Sequence, residues 1–198
     1  MRVPSPRKEM QILRAAEMLF TSRRFHEVTM EEIAGTAAVG KGTLYRYFAD
    51  KDALFREVAL SGYRQLVERI NRIAANGSSF EKQLQQIMKA VMELYRRKRR
   101  LFRLIQAEDS RVPSMQAKDR NRWRMEREHL VHALSGWIVR GVKAGRIRSD
   151  VPPETIATSL LAILRAAAGP PGRRSLPAPA FNDMTTLFLE GAASRETH

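Results

Sequence analysis

The sequence predicts an all-α protein of about nine helices. Apolar residues recur every three or four positions along most of its 198 residues, which is the period of an amphipathic helix. Typical helix-starting and helix-ending residues separate these segments, and no segment alternates apolar and polar residues as a half-buried strand would. We therefore expect a three-helix head at residues 1–50, joined to a helical-bundle body at residues 51–198.

Three short helices are expected in the head. The first follows Pro6 and buries a single apolar stripe. Thr29 is placed to cap the second helix, and Glu32, three positions later, completes a capping box. The third helix spans residues 41–48 after a short break at residues 38–40. The stripe of the first helix consists of Ile12, Ala15, Ala16, Leu19 and Phe20.

The body is expected to be helical as well. Its first helix is long, begins after Asp50 and ends at Asn76–Gly77, where glycine favours a helix end. Further helices are expected from Ser79, over residues 101–109, through Trp123 to about Gly145, over residues 153–168 and over residues 181–193. Residues 169–179 are rich in proline and glycine and are expected to form a loop.

Composition narrows the possible classes of protein. The chain has no cysteine, which excludes disulfides, thiolate metal sites and cysteine nucleophiles. Its longest apolar stretch, residues 159–168, contains Arg165 and is about half the length of a membrane span. The N-terminal residues lack the apolar run of a signal peptide. We expect a soluble, cytoplasmic protein without a membrane segment.

The net charge of +14 favours a polyanionic partner, of which nucleic acid is the commonest. Its distribution weakens that argument, however. Residues 1–60 carry +2, residues 61–150 carry +12 and residues 151–198 carry no net charge. Charge alone is therefore weak support for DNA binding by the head.

The third helix predicts a DNA-reading surface. Stepping about 100° per residue places Leu44 and Phe48 on one side, where they face a small core. Arg46 falls on the opposite side and can bind guanine O6 and N7, while Gly42 beside it lets the backbone approach the groove. With the capped helix before it, this pattern favours a helix-turn-helix. A solvated helix that merely carries these side chains is the alternative.

Three runs carry a specific resemblance: TMEEIA at residues 29–34, VGKGTLYRYF at residues 39–48 and KDAL at residues 51–54. With the apolar first helix and Phe25, they closely resemble the DNA-binding head of the TetR family of repressors. The resemblance covers residues 7 to about 58. Looser likenesses follow at Glu108, Arg111, Pro113 and the turn at residues 145–153.

The resemblance implies a homodimeric transcriptional repressor that a small-molecule effector releases from a pseudo-palindromic operator in double-stranded DNA. It implies phosphate contacts for Thr29, Thr43, Tyr47 and Lys51. It implies that Lys41, Gly42, Tyr45 and Arg46 face the base edges. Two positions depart from the family pattern, since Ala38 replaces a glycine in the turn and Gly40 replaces a serine cap. Ala38 indicates a turn that is either different or mildly strained, whereas glycine remains an acceptable cap.

The resemblance also implies that the last two helices, residues 153–168 and 181–193, form the dimer interface. Small residues on the first of them would permit close packing. An effector site is implied among the body helices, with ordinary core as the alternative for each residue. Candidate lining residues are Met88, Met92, Phe102, Trp123, Leu130 and Trp137.

Other patterns leave alternatives open. The basic cluster, residues 96–100 with Arg103, is either a solvated helix junction or an accessory phosphate contact. Glu126, His129 and His132 share a helix, but they lack a fourth ligand and predict no metal site. No catalytic motif is present, so no enzyme and no cofactor are expected. An architectural nucleic-acid-binding protein without a ligand is the rival hypothesis.

Overall fold

The structure, a computed structural model, describes residues 5–106, 117–168 and 181–192. Over these ranges the chain forms eight α-helices and one short 3-10 helix at Phe25–Glu27, with no strand, which confirms the all-α prediction. The helices are α1 (Pro6–Ser22), α2 (Met30–Thr36), α3 (Lys41–Tyr47), α4 (Lys51–Ala74), α5 (Phe80–Gln106), α6 (Ala117–Lys143), α7 (Pro153–Ala167) and α8 (Phe181–Ala192).

The separate helix predicted at residues 101–109 is wrong, because α5 continues without a break to Gln106. No glycine or proline interrupts α5, and its arginine, lysine and leucine residues all favour a helix. The looser likeness at Glu108, Arg111 and Pro113 and the predicted loop at residues 169–179 lie outside the described residues.

The predicted helix starts are confirmed by their hydrogen bonds. The Glu32 amide donates to Thr29 Oγ1 at 3.1 Å, and the Thr29 amide donates to Glu32 Oε2 at 2.8 Å, which completes the capping box. Asp50 Oδ1 accepts from the Ala53 amide at 2.6 Å at the start of α4. Ser79 Oγ accepts from the Lys82 amide at 3.3 Å at the start of α5.

The chain divides into two compact units. The first unit contains Met1–Tyr63 and Arg97–Arg124, and the second contains Arg64–Arg96 and Met125–His198. The helices α4, α5 and α6 therefore each contribute residues to both units. The functional division into a DNA-binding head at residues 1–50 and a body at residues 51–198 remains a prediction.

The core of the first unit fixes the place of α3. Phe20, Phe25 and Phe55 form a triangle of rings whose centroids lie 5.0 to 5.6 Å apart. Leu44 of α3 is fully buried in the same cluster, and Phe48 is nearly so. Burial of a leucine or phenylalanine side chain contributes about 1.5–3 kcal/mol, so these two residues hold one side of α3 against the core.

The second unit contains a stacked aromatic pair. The rings of Phe80 and Trp137 are nearly parallel, with centroids 4.4 Å apart, and Trp137 Nε1 donates to Gln83 Oε1 at 2.9 Å. A Cβ atom on Gly141 would lie 2.7 Å from Phe80 Cε2. A side chain at position 141 would therefore force the Phe80 ring to shift.

No helix among the described residues is both long and apolar enough to cross a membrane.

Candidate nucleic-acid interface

The exposed side of α3 has the orientation that the sequence predicts. Leu44 is buried against the core, while Gly42, Tyr45 and Arg46 are exposed on the other sides of the helix. A Cβ atom on Gly42 would meet nothing within 4 Å, so the surface beside Arg46 is open to an approaching molecule. The Arg46 guanidinium lies 5.8 Å from the centre of the Tyr47 ring. The helix thus presents an arginine and a tyrosine around a bare stretch of backbone.

The turn between α2 and α3 is a strained version of a common helix ending. The Val39 amide donates to the Ala34 carbonyl and the Ala38 amide to the Gly35 carbonyl, both at 3.0 Å, which is the Schellman pattern. This pattern needs a left-handed residue, and Ala38 adopts it with φ of 48°. Of the two outcomes expected at Ala38, strain is the one observed. An L-residue with a Cβ atom loses about 1–2 kcal/mol in this conformation.

Lys41 opens α3 and is paired with an acidic residue of α2. Its Nζ lies 2.5 Å from Glu31 Oε1 and 6.0 Å from the centre of the Tyr45 ring. The hydrogen bond from Lys41 holds the pKa of Glu31 below its ordinary value of 4.5, and the same bond raises the pKa of Lys41. Glu31 was missed by reasoning from the sequence, because the pair depends on how the turn folds α2 against α3.

Tyr47 connects α3 to the start of α1. Its hydroxyl accepts a hydrogen bond from the Ser5 amide at 2.6 Å and donates one to the Ser5 carbonyl oxygen at 3.3 Å. The side chain is half-buried. Tyr47 therefore positions the N-terminus of α1 beside α3, and its predicted phosphate contact would use a hydroxyl that already has partners.

Lys51 also has a role in the fold. Its Nζ donates to the carbonyl oxygens of Phe25 at 2.9 Å and Val28 at 2.8 Å, and it lies 4.4 Å from the centre of the Phe25 ring. Two of the three N–H groups of Lys51 therefore donate to the segment between α1 and α2. The predicted phosphate contact would use the third N–H group.

The remaining predicted contact residues, Thr29 and Thr43, lie at the start of α2 and within α3. Thr29 is exposed at the start of α2, with its hydroxyl engaged in the capping box. Thr43 is half-buried on α3. All eight predicted DNA-contact residues belong to the first unit.

The predicted effector residues are divided between the units. Met88, Met92, Leu130 and Trp137 are buried in the second unit. Trp123 belongs to the first unit, where its ring packs edge-on against Tyr63 with centroids 5.2 Å apart. The side chain of Phe102 lies outside the described residues.

In the trio of Glu126, His129 and His132 on α6, Glu126 is paired with an arginine and lies near His129. Glu126 Oε1 lies 3.2 Å from Arg64 Nη1, and His129 Nδ1 lies 3.9 Å from Glu126 Oε2. Among the described residues, no group of three or more potential ligands could hold a metal ion.

The helix-turn-helix has a counterpart among known proteins. Residues 12–58 match the family described as bacterial regulatory proteins of the tetR family. Residues 12–58 therefore have the sequence of a TetR-family DNA-binding region. The chain is 29% identical to YhgD of Bacillus subtilis, an uncharacterised HTH-type transcriptional regulator, over 144 residues that make up 73% of this chain and 74% of that protein. With this region and such relatives, the chain is a DNA-binding transcriptional regulator.

Solved structures share the whole fold. A TetR-family transcriptional regulator from Mesorhizobium loti has a TM-score of 0.71 at 25% identity, and the match covers 96% of each chain. FadR of Bacillus subtilis, solved in complex with stearoyl-CoA, has a TM-score of 0.68 at 18% identity, covering 92% of this chain and 98% of FadR. At 18% identity, the likeness to FadR shows that the two proteins share a fold.

Proposed function

We propose that this TetR-family protein is a repressor that binds a pseudo-palindromic operator as a homodimer and leaves it when a small-molecule effector binds. The exposed side of α3 is the observation that carries the DNA-reading part of the proposal. Arg46 points away from the buried Leu44, and Gly42 leaves the backbone beside it uncovered. An arginine in the major groove can recognise guanine through two hydrogen bonds.

The weak charge of the head favours sequence-specific binding over architectural binding. An architectural protein relies on many phosphate contacts, which require an excess of basic residues. Residues 1–60 carry a net charge of only +2. Affinity for a chosen operator would therefore depend on contacts with the bases as well as on charge.

The proposed dimer interface consists of α7 and α8. Most exposed residues of α7 are small; the larger ones are Glu154, Arg165 and the apolar Ile163, which is 49% exposed. The small exposed residues are Thr155, Thr158, Ser159, Ala162 and Ala166. A dimer formed here would present two copies of α3 to half-sites about 34 Å apart.

The proposed effector site lies among buried apolar residues of the body. Met88, Met92, Leu130 and Trp137 line the interior of the second unit, and methionine adapts readily to ligands of different shape. FadR, which shares the fold, was solved with stearoyl-CoA, so a cavity for a ligand can be built within this architecture. An effector that favours a state with low DNA affinity must lose affinity itself, by the same factor, when DNA binds. We expect no enzymatic activity.

Selection of DNA from a random pool by the purified full-length protein tests the proposal. The expected result is one motif with two inverted half-sites about one helical turn apart, followed by footprint protection of that motif. Binding that depends on DNA length but not on sequence would instead support the architectural protein.

Transcription from a promoter that contains the selected motif then tests the direction of regulation. The proposal expects the protein to lower transcription in the absence of an effector. An increase in transcription would identify an activator and overturn the repressor part of the proposal.

A further inference from the structure

The basic cluster on α5 contains a lysine that solvent does not reach. Among the described residues, Lys98 is the only charged side chain that is fully buried. Its Nζ donates hydrogen bonds to the Val58 carbonyl oxygen and to Ser61 Oγ, the latter at 3.2 Å. Lys98 therefore cannot contact a phosphate, and both predicted roles of the cluster are wrong for this residue.

Lys98 is also paired with a carboxylate of α1. Glu17 Oε2 lies 3.4 Å from Lys98 Nζ, and Glu17 Oε1 lies 2.9 Å from Arg97 Nε. The Glu17 side chain is only 15% exposed, whereas that of Arg97 is 57% exposed. One carboxylate of the head thus binds two consecutive cations of α5, and Lys98 adds bonds to α4.

The contacts of Lys98 join three helices of the first unit at one point. The helix α1 packs on α2 and belongs to the core that holds α3, while α4 and α5 are the helices that continue into the second unit. The hydrogen bonds from Lys98 to α4 require defined distances and angles, and the attraction between Lys98 and Glu17 is strongest when the two charges are close. The contacts of Lys98 therefore favour one position of α1 along α5.

Stability alone is a poor explanation for this arrangement. Removing a lysine and a glutamate from water is unfavourable, and replacement of a buried ion pair by apolar residues of similar volume often leaves a protein as stable or makes it more stable. Charges that are retained in a buried position are therefore candidates for a role in specifying one geometry.

We propose that Lys98, through Glu17, is a positioning residue for operator binding: it fixes the head on α5 and so sets the spacing between half-sites that the dimer accepts. This inference rests on the proposed function, because it requires a dimer that reads two half-sites. It does not require the effector to be known.

The test compares the full-length parent with the double variant Glu17→Met, Lys98→Met. Both replacements are unbranched and apolar, so the fold is expected to survive with an unchanged or higher Tm. The matched control is Arg69→Met, Glu93→Met, which removes a 2.7 Å ion pair from the second unit. Each protein is titrated with the selected operator and with operators that have one or two base pairs inserted between the half-sites.

The parent and the control are expected to prefer the original spacing strongly. The double variant is expected to lose at least about fivefold of that preference, which is the lower end of typical coupling between sites. A preference equal to that of the parent would overturn the inference. If the double variant does not fold, Ser61→Ala and Glu17→Gln, which preserve shape, are measured in the same way, and an unchanged preference in both also overturns it.

Failure of the proposed function gives a different result. In that case the parent itself selects no inverted repeat and shows no preference for spacing. A parent that selects an operator and discriminates between spacings, together with variants that do so equally well, contradicts only the role of Lys98.

Discussion

Leu44 and Arg46 have different roles on opposite sides of the short helix α3. Leu44 is fully buried and anchors α3 to the core, and Arg46 is exposed on the opposite side. Because the anchor is apolar and shape-dependent, the direction of Arg46 is set by packing and does not depend on DNA being present. The arginine is therefore positioned before it meets a base.

Replacement of Arg46 by alanine is expected to weaken binding to the selected operator by about 1–3 kcal/mol per half-site and to relax the preference at one base pair. The cause is loss of a two-bonded contact with one base. Arg140→Ala, which removes the same charge from an exposed position on α6, is the control. Titrations against every single-base operator variant measure the effect. A uniform loss across all variants would show that Arg46 contacts phosphate instead.

The pair formed by Glu31 and Lys41 places a negative charge beside the reading helix. Replacement Glu31→Gln is expected to strengthen non-specific DNA binding and to steepen the salt dependence by about 0.9 in log–log slope, since one more cation then reaches the phosphates. Titrations at several salt concentrations measure this slope. Glu68→Gln, at an exposed position on α4, is the control.

The pH sets the window for that measurement. Because Lys41 lowers the pKa of Glu31 from 4.5 and Glu31 raises the pKa of Lys41 from 10.5, both groups stay charged between those two values, and the difference between variant and parent should be constant there. An unchanged salt slope for Glu31→Gln would mean that Lys41 already contacts DNA while it is paired.

At the scale of the elements, the short turn before α3 contains measurable strain. Ala38→Gly is expected to stabilise the protein by up to about 1 kcal/mol, because relief of the left-handed strain exceeds the added entropy of the unfolded glycine chain. Thermal unfolding measures the change. Gly77, with φ of 71° and open space around its Cα, provides the mirror test, and Gly77→Ala is expected to destabilise by about 1 kcal/mol. A lower Tm for Ala38→Gly would show that the turn is not strained in solution.

The elements also show which parts of the structure a sequence can predict. The starts of α2, α4 and α5 follow from local capping residues, and the orientation of α3 follows from the fixed angle between successive helical residues. The length of α5 was not predicted, because its run of basic residues was interpreted as a junction although nothing in it breaks a helix. The pairs of Glu31 with Lys41 and of Glu17 with Lys98 could not be predicted, since they depend on how separate helices come together.

At the scale of the whole molecule, the proposed dimer depends on the exposed side of α7. Ile163→Glu is expected to weaken dimerisation by about 3 kcal/mol or more, because it would bury an unpaired charge at the interface. Sedimentation analysis over a range of concentrations measures the dimer. Val139→Glu, at an exposed apolar position on α6, is the control. A dimer that is unaffected by Ile163→Glu would exclude this side of α7 as its interface.

The contacts of Lys98 also bear on the construction of chimeric regulators from this family. Grafting residues 1–50 onto a foreign body would move Glu17 without its partners on α5, and the graft would leave a carboxylate with little exposure facing whatever residues that body supplies. A functional chimera would then require a matching basic residue in the new body, or an apolar replacement of Glu17. If heads and bodies are exchanged during evolution, position 17 of the head and position 98 of the body would have to change together.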